Sequence, residues 1–499
     1  MKNLKKTKII ATLGPSVTGN MFTFEEFNNP DNAPLIEEAK LKLAKIYDAG
    51  VNAVRLNFSH GTYEEQMIKI QLAREVADEK GLNIAFILDT KGPEIRIFNI
   101  ENNKALISNN SVVTIYTTKK IVGNSSEFSV YDSSSQYNMA IDVVEGDVIF
   151  ADDGKLKLIA TEINVDEGII KAIAKNEHVI KTNKRINLPN VEYSIPFMSE
   201  KDYNDILFAI ENKFDFIAAS FVNSAKNVAE IRKILNDNNA SHIQIISKIE
   251  TMSAINAINE IIDASDSIMI ARGDLGLEIP YYEVPYFEKY IIKACRHKAK
   301  TVIVATQMLD SLETKMHATR AEVTDVFFAV ERGTDCTMLS GETANGMYPI
   351  NAVEVMSTIN RSSERLFDYG RAFSVYFAHT KYIHTDFGKQ LQKLAYMIAP
   401  KRNIFNEPFE YGAIIYFGND VDKINAISNI RPAASIFAII DDEKLKKCFA
   451  LHYGVNTVFV DYLSEEMEFI KKVVKEIKTQ LPPDEQKCII ITNQKIFRC

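Results

Sequence analysis

Two hydrophobic periods alternate along residues 1–345. Short, almost continuously apolar runs rich in β-branched residues lie at 7–13, 53–58, 84–89, 216–221, 243–249, 267–271, 301–306 and 337–339. Runs of that length without polar alternation are strands covered on both faces, as in a parallel sheet. Segments of helical period follow most of them. Residues 35–49 repeat apolar positions at helical spacing and stop at Gly50, a C-cap residue. Ser199-Glu-Lys-Asp202 opens another with an N-cap serine and an acid three residues on. The series continues at 225–235, 254–262, 284–297 and 320–332. Eight strands alternating with helices fit an open doubly wound sheet or a closed (β/α)8 barrel, and the count favours the barrel.

The third unit is interrupted. After Asp89-Thr-Lys-Gly-Pro-Glu-Ile-Arg96 no helix follows. Short strand patterns come instead at 111–117, 147–151, 155–161 and 168–174, with Asp152-Asp153-Gly154 as a hairpin turn between two of them. This predicts a small all-β domain inserted into the barrel. Residues 367–410 are polar and aromatic without a clear period. Strands expected at 413–417, 434–440, 457–460 and 488–491 then alternate with helices near 421–429, 443–451 and 464–479, a third domain of α/β type. The expected division is 1–96 with 186–360 for the (β/α)8 TIM barrel, 97–185 for the insertion and 361–499 for the C-terminal α/β domain.

Composition narrows the function. A chain of 499 residues, 46% hydrophobic and 25% charged, has room for two to four folded domains. Its 58 Lys+Arg against 66 Asp+Glu leave a net charge of -8, which argues against a generally basic nucleic-acid binder. No apolar run approaches the ~20 residues of a membrane span. The basic start Met1-Lys-Asn-Leu-Lys-Lys6 is followed by an apolar stretch too short for a secretory leader. Five scattered cysteines without a CxxC pair point away from disulfides and zinc, and to a reducing cytoplasm.

In a (β/α)8 barrel the reacting groups sit at the C-terminal ends of the strands. These ends read Arg55-Leu-Asn57-Phe-Ser59-His60, Asp89-Thr90-Lys91, Ser220-Phe221, Lys248-Ile-Glu250, Arg272-Gly273-Asp274, Thr306-Gln307 and Ser340-Gly341-Glu342-Thr343. All are polar. Lys248 and Glu250, two apart on one strand, point to the same side. They form either a buried ion pair or the core of a reaction centre. Glu250 and Asp274, on neighbouring strands, can share a divalent ion, since two carboxylates with substrate oxygens and water suit Mg²⁺. The glycine-punctuated turn at Gly273 can present free N–H groups to an anion. Asn57, Ser59, Asp89 and the Thr90 carbonyl can hold a monovalent cation or make a hydrogen-bonded rim. Arg55 and Arg96 offer guanidinium groups to phosphate. His60 and Cys336 are expected to be structural. The residues alone describe a barrel enzyme that handles phosphate and Mg²⁺ with an essential lysine.

The same blocks resemble the pyruvate kinase family. They are Thr7-Lys-Ile-Ile-Ala-Thr-Leu-Gly-Pro-Ser16, Arg55-Leu-Asn-Phe-Ser-His-Gly61, Leu88-Asp-Thr-Lys-Gly-Pro-Glu-Ile-Arg96 and Asn187-Leu-Pro189. They continue with Ile245-Ile-Ser-Lys-Ile-Glu250, Ile270-Ala-Arg-Gly-Asp-Leu-Gly-Leu-Glu-Ile-Pro280, Ala305-Thr-Gln-Met308, Thr319-Arg-Ala-Glu322 and Met338-Leu-Ser-Gly-Glu-Thr-Ala344. They occur in the family's order over about residues 5–365; the third domain is similar only in outline. The resemblance implies phosphoryl transfer from phosphoenolpyruvate to ADP, giving pyruvate and ATP, in a cytoplasmic homotetramer. Lys248, with Arg55 and Thr306, would be catalytic. Ala271, Gly273, Asp274, Thr306 and Lys248 would bind the substrate. Arg55, Asn57, Arg96 and Lys184 would face the nucleotide. Glu250 and Asp274 would ligate Mg²⁺ (or Mn²⁺), and Asn57, Ser59, Asp89 and Thr90 would ligate K⁺. Glu94 implies K⁺ dependence, because its charge leaves a negative excess for the cation to offset. The inserted domain would close over the mouth as a β-barrel lid.

This chain departs from the family at Arg185 and Asn190, where glycine is usual around a hinge of the lid, and at Ala318, where proline is common. The family's effector loop is rich in Ser, Thr and Gly, whereas Gly418-Asn-Asp-Val-Asp-Lys423 has no hydroxyl and two acids. The Gly-rich clamp and final strand of that site are expected to be absent or much shortened, so fructose 1,6-bisphosphate should not activate there. A basic site formed by Lys381, Lys389 and Lys393 is the alternative location for an activator. Arg431-Pro432 is retained, so the third domain should still serve subunit contacts. The competing functions are a Mg²⁺-dependent aldolase of the phosphoenolpyruvate/pyruvate barrel type and a non-catalytic metabolite-binding relic. The aldolase needs neither the insertion nor the K⁺ set, and a relic would be expected to lose some of Lys248, Glu250, Asp274 and Thr306.

Overall fold

The computed structural model describes residues 4–132, 137–398, 411–483, 486–492 and 495–499, with side chains described only to residue 394 in the second of these segments. Eight parallel strands close into a barrel: Lys8–Thr12, Ala53–Asn57, Ala85–Asp89, Phe216–Ala219, Gln244–Ile249, Ser267–Ala271, Thr301–Ala305 and Cys336–Leu339. Alternation along each strand sorts its side chains into two cores. Ile10, Ala53, Ile87, Phe216, Ile246 and Met269 fill the barrel interior. Their sequence neighbours Ile9, Val54, Phe86, Ile217, Ile245 and Ile268 pack outward beneath the helices. Both layers are apolar, which is why the strands read as continuous runs.

Helix boundaries follow from capping. Helix Glu200–Glu211 starts at Ser199, whose side chain accepts the Asp202 N–H. Helix Arg320–Glu331 opens with a complete Thr319–Glu322 capping box. Helix Ala33–Ala49 stops at Gly50 in the left-handed region, φ 111°.

The insertion is a second closed barrel, of seven strands. Its first and last strands, Ile95–Ile97 and Arg185–Asn187, pair antiparallel and carry the chain out of and back into the large barrel. Their side chains therefore stand beside its mouth.

After Pro349–Glu364 come helices Tyr369–Val375 and Asp386–Ile398 with two 3-10 turns between them, in the stretch that has no clear period. The remainder of that stretch, 399–410, lies outside the described residues. The C-terminal sheet has five strands. Val455–Phe459, Ser435–Ile440, Ala413–Phe417 and Cys488–Ile491 are parallel, and Ile496–Arg498 pairs antiparallel with the last of these. A final strand is thus present, three residues long. The helix expected at 443–451 is instead a 3-10 turn, Glu443–Leu445, followed by irregular chain. That chain plugs the base of the large barrel, where Leu451 joins the interior core and its carbonyl receives Cys336 Sγ at 3.1 Å.

Arg431 acts within the chain. Its guanidinium reaches the buried Asp335 at 2.7 Å and fastens the C-terminal unit to the barrel base.

Candidate active site

Period-two alternation carries past the last apolar layer of the barrel. In the fifth strand Ile246 points inward, so Lys248 and then Glu250 do as well, while Ile245 and Ile249 face the helices. By the same count Ala53 leads to Arg55 and Asn57, Ile87 to Asp89, and Phe216 and Ala218 to Ser220. These rows meet in a cavity of about 460 Å³ between the barrel mouth and the inserted domain. Arg96, Lys184 and Arg185 line it from the small-barrel side.

Lys248 is the hub. Its Nζ is 3.0 Å from Glu250 Oε1, 3.1 Å from Asp89 Oδ1 and 2.7 Å from Ser220 Oγ. Burial alone would lower its pKa, but Asp89 and Glu250 raise it, so the ammonium stays charged. Asp89 is held below the ordinary carboxylate range despite burial, by Arg55 at 2.6 Å and by Lys248. Glu250 is pushed up to about 7, by burial first and, against the pull of Lys248, by the charge of Asp274. Its Oε2 accepts the Phe221 N–H at 2.6 Å. Asp274 lies within hydrogen-bonding reach of Glu250 and is held low by Arg185 and Lys248, although burial opposes them. Two facing carboxylates, Glu250 buried and Asp274 half-buried, suit a divalent cation.

Residues 271–274 form a turn at the start of the short helix Arg272–Glu278. The Gly273 N–H donates to Thr306 Oγ1 at 2.7 Å. A Cβ on Gly273 would stand 3.3 Å from that oxygen, so glycine permits the approach. Thr306 has φ 67°, a conformation unusual for a β-branched residue. Arg272 secures it by donating to the Thr306 and Gln307 carbonyls at 2.9 Å and pairing with Glu288 at 3.0 Å.

The oxygens of the expected monovalent site are gathered and engaged. Asn57 Oδ1 accepts the Ser59 N–H at 3.0 Å, and Ser220 Oγ donates to the Thr90 carbonyl at 2.7 Å. All four donors are hard oxygens, which suits K⁺. A cation there would have to replace contacts now made by Arg55 and Ser220. Contrary to expectation, Glu94 leaves no negative excess. Arg96 grips its Oε2 at 2.7 Å and Arg185 holds its Oε1 at 2.6 Å, so no uncompensated charge remains there.

Lys184 borders the cavity, 2.8 Å from Asp152. Two contributors escape sequence reasoning. Ser220 was legible as a strand end but without a role. Arg185 stood only as a departure at a hinge, yet its guanidinium enters the mouth, and its one sequence signal was a charged residue in place of a small one. His60 lines the rim, and Cys336 is buried at the base.

The pyruvate kinase barrel-domain family profile matches residues 4–353. A curated pyruvate kinase of Mycoplasma pneumoniae is 47% identical over 460 residues, 92% of this chain and 91% of the relative. One from Sporosarcina psychrophila is 38% identical, covering 95% of this chain and 75% of its own length. A crystal structure of a pyruvate kinase from Cryptosporidium parvum superimposes with a TM-score of 0.86 at 30% identity, covering 99% of this chain and 96% of that one.

Proposed function

The chain belongs to the pyruvate kinase family, and we propose that the groups around Lys248 carry out its reaction. That reaction moves the phosphoryl group of phosphoenolpyruvate to ADP, giving pyruvate and ATP at the end of glycolysis. The observation that carries the residue assignment is the placement of Lys248 and Asp274 in the mouth that Arg55, Arg96 and Lys184 also line, with Glu250 directly behind Lys248 and Thr306 on the Gly273 N–H beside Asp274.

Glu250 and Asp274 would hold Mg²⁺ or Mn²⁺, which would supply charge neutralisation to the reaction. The chain's own groups do the rest. Lys248, kept charged by its carboxylate neighbours, stabilises negative charge on the moving phosphoryl and on the enolate oxygen left behind. The turn at Ala271, Gly273 and Asp274, with Thr306, receives the substrate carboxylate. Arg55, Arg96 and Lys184, with Asn57, face the nucleotide phosphates. Asn57, Ser59, Asp89 and the Thr90 carbonyl hold K⁺; the support is their oxygen-only donor set and not the charge of Glu94. Phosphoryl transfer asks for positioning and charge stabilisation more than for covalent chemistry, and these groups supply both. The inserted domain over the mouth excludes water from the transferring phosphoryl.

The protein takes phosphoenolpyruvate and ADP or ATP as its partners, binds neither nucleic acid nor membrane, and works as a cytoplasmic homotetramer. Among the described residues no helix is long and apolar enough to cross a membrane. Pyruvate formation, followed in a coupled assay with Mg²⁺ and K⁺, tests the reading. Turnover that needs both phosphoenolpyruvate and ADP is expected, and turnover independent of ADP would contradict it.

A further inference from the structure

Arg185 is the first residue of the strand that returns the chain from the small barrel, yet its side chain works in the large one. One guanidinium nitrogen bonds the Asp274 carboxylate, and the other lies 2.6 Å from Glu94 Oε1. The guanidinium carbon sits 5.2 Å from the centre of the Phe221 ring. Phe221 is itself fixed by its N–H on Glu250. A single side chain therefore joins the inserted domain to both carboxylates assigned above to the divalent cation, bonding one and touching the residue that holds the other.

A guanidinium and a divalent cation of the same sign compete for Asp274. An ion held by both carboxylates would carry two charges against the arginine's one and would displace it. The freed N–H groups would then lie in a half-buried mouth, where an anionic acceptor is a stronger partner than water. The other carboxylates nearby already have partners, Glu278 among them with Asn187 and Tyr193. Asp89 carries Arg55 and Lys248, and the second oxygen of Glu94 carries Arg96. An incoming phosphoryl group offers the missing oxygens, and the planar fork of arginine reaches it while the other arm stays on Glu94.

We propose that Arg185 exchanges partners in the reaction cycle, holding Asp274 until a divalent cation takes it and then turning to the phosphoryl oxygens of the substrate. The inference rests on the assignment of Asp274 as a metal ligand. It makes the binding of the cation and of the phosphorylated substrate mutually favourable, because each relieves what the other leaves unpaired, and such coupling is reciprocal.

Mn²⁺ binding to the full chain, measured by electron paramagnetic resonance of the free ion with and without phosphoenolpyruvate, tests it. Arg185→Gln and Arg185→Gly should each bind Mn²⁺ about tenfold more tightly than the wild type when no substrate is present, through loss of a competing positive charge. Phosphoenolpyruvate should then tighten Mn²⁺ less in the variants than in the wild type. Mn²⁺ affinity unchanged or weakened in both variants would overturn the exchange. Asp274→Asn and Glu250→Gln separate the two levels. Loss of Mn²⁺ binding there, with no response in the Arg185 variants, overturns the exchange alone, whereas undiminished binding in both overturns the metal assignment and the exchange with it.

Discussion

Lys248 Nζ stands 3.0 Å from Glu250 Oε1, two residues on and just past the end of the same strand. One step of register separates this arrangement from an inert one. Ser247, between the apolar positions of the outer layer, turns away from the mouth and meets Ser265 at 2.6 Å. A strand slipped by one residue would bury the lysine among helices and leave the mouth without its cation. The hydrophobic alternation that builds the barrel thus also aims its chemistry.

Activity should need a monovalent cation as well as a divalent one. The oxygen set of Asn57, Ser59, Asp89 and Thr90 is the reason. Initial rates in K⁺ should greatly exceed those in a bulky organic cation at equal ionic strength. Equal rates would remove the monovalent site from the account, and the two arginines on Glu94 make this a demanding test.

Fructose 1,6-bisphosphate should not activate through the loop at 418–423. Asp420 caps helix Val421–Asn429 with its own carboxylate, accepting the Lys423 N–H at 3.1 Å, where a phosphate would otherwise dock. Asn419 is tied to Asp441 at 2.6 Å. The alternative basic site is partly spent, since Lys381 pairs with Asp422 at 3.0 Å and Lys389 with Asp386 at 3.2 Å. Calorimetric titration, with rates at low phosphoenolpyruvate, should show neither binding nor activation. Micromolar binding abolished by substitutions at 418–423 would contradict this.

Much of this was legible in the chain for physical reasons. Strands buried on both faces announce themselves as apolar runs, and the barrel rule then converts their final residues into a site. What was not legible depends on contacts between distant segments. Arg185 meets Asp274 across 89 positions, from a strand of a different barrel. Residues 443–451 have helical composition, but their backbone is claimed by the barrel base. Gln244 Nε2 donates to the Cys448 carbonyl at 3.1 Å, and the Leu451 carbonyl takes Cys336. Tertiary hydrogen bonds there outcompete a local preference worth only tenths of a kcal/mol per residue.

The same interface should make stability depend on pH. Burial, reinforced by Arg431 and Lys8 and opposed by Asp335, pushes the His452 imidazole down to about 4. A base with its folded pKa below the unfolded value of ~6.5 binds more protons when unfolded, so acid favours unfolding. The contribution is complete above about pH 6.5 and is lost as the pH falls towards about 4, by at most ~1.4 kcal/mol per pH unit. Urea unfolding of His452→Gln should show a shallower loss of stability between about pH 6.5 and 5 than the wild type. Parallel profiles would place the titration elsewhere.

Turnover of phosphoenolpyruvate and ADP by Lys248→Met beside the wild type addresses the central assignment most directly. Removing one preorganised charge-stabilising donor typically lowers the rate by ~10²–10³, and a full positive charge on the moving phosphoryl should exceed that. The variant should therefore lose nearly all phosphoryl transfer while keeping its fold and its Mn²⁺ binding. Near-normal turnover in Lys248→Met would contradict the account.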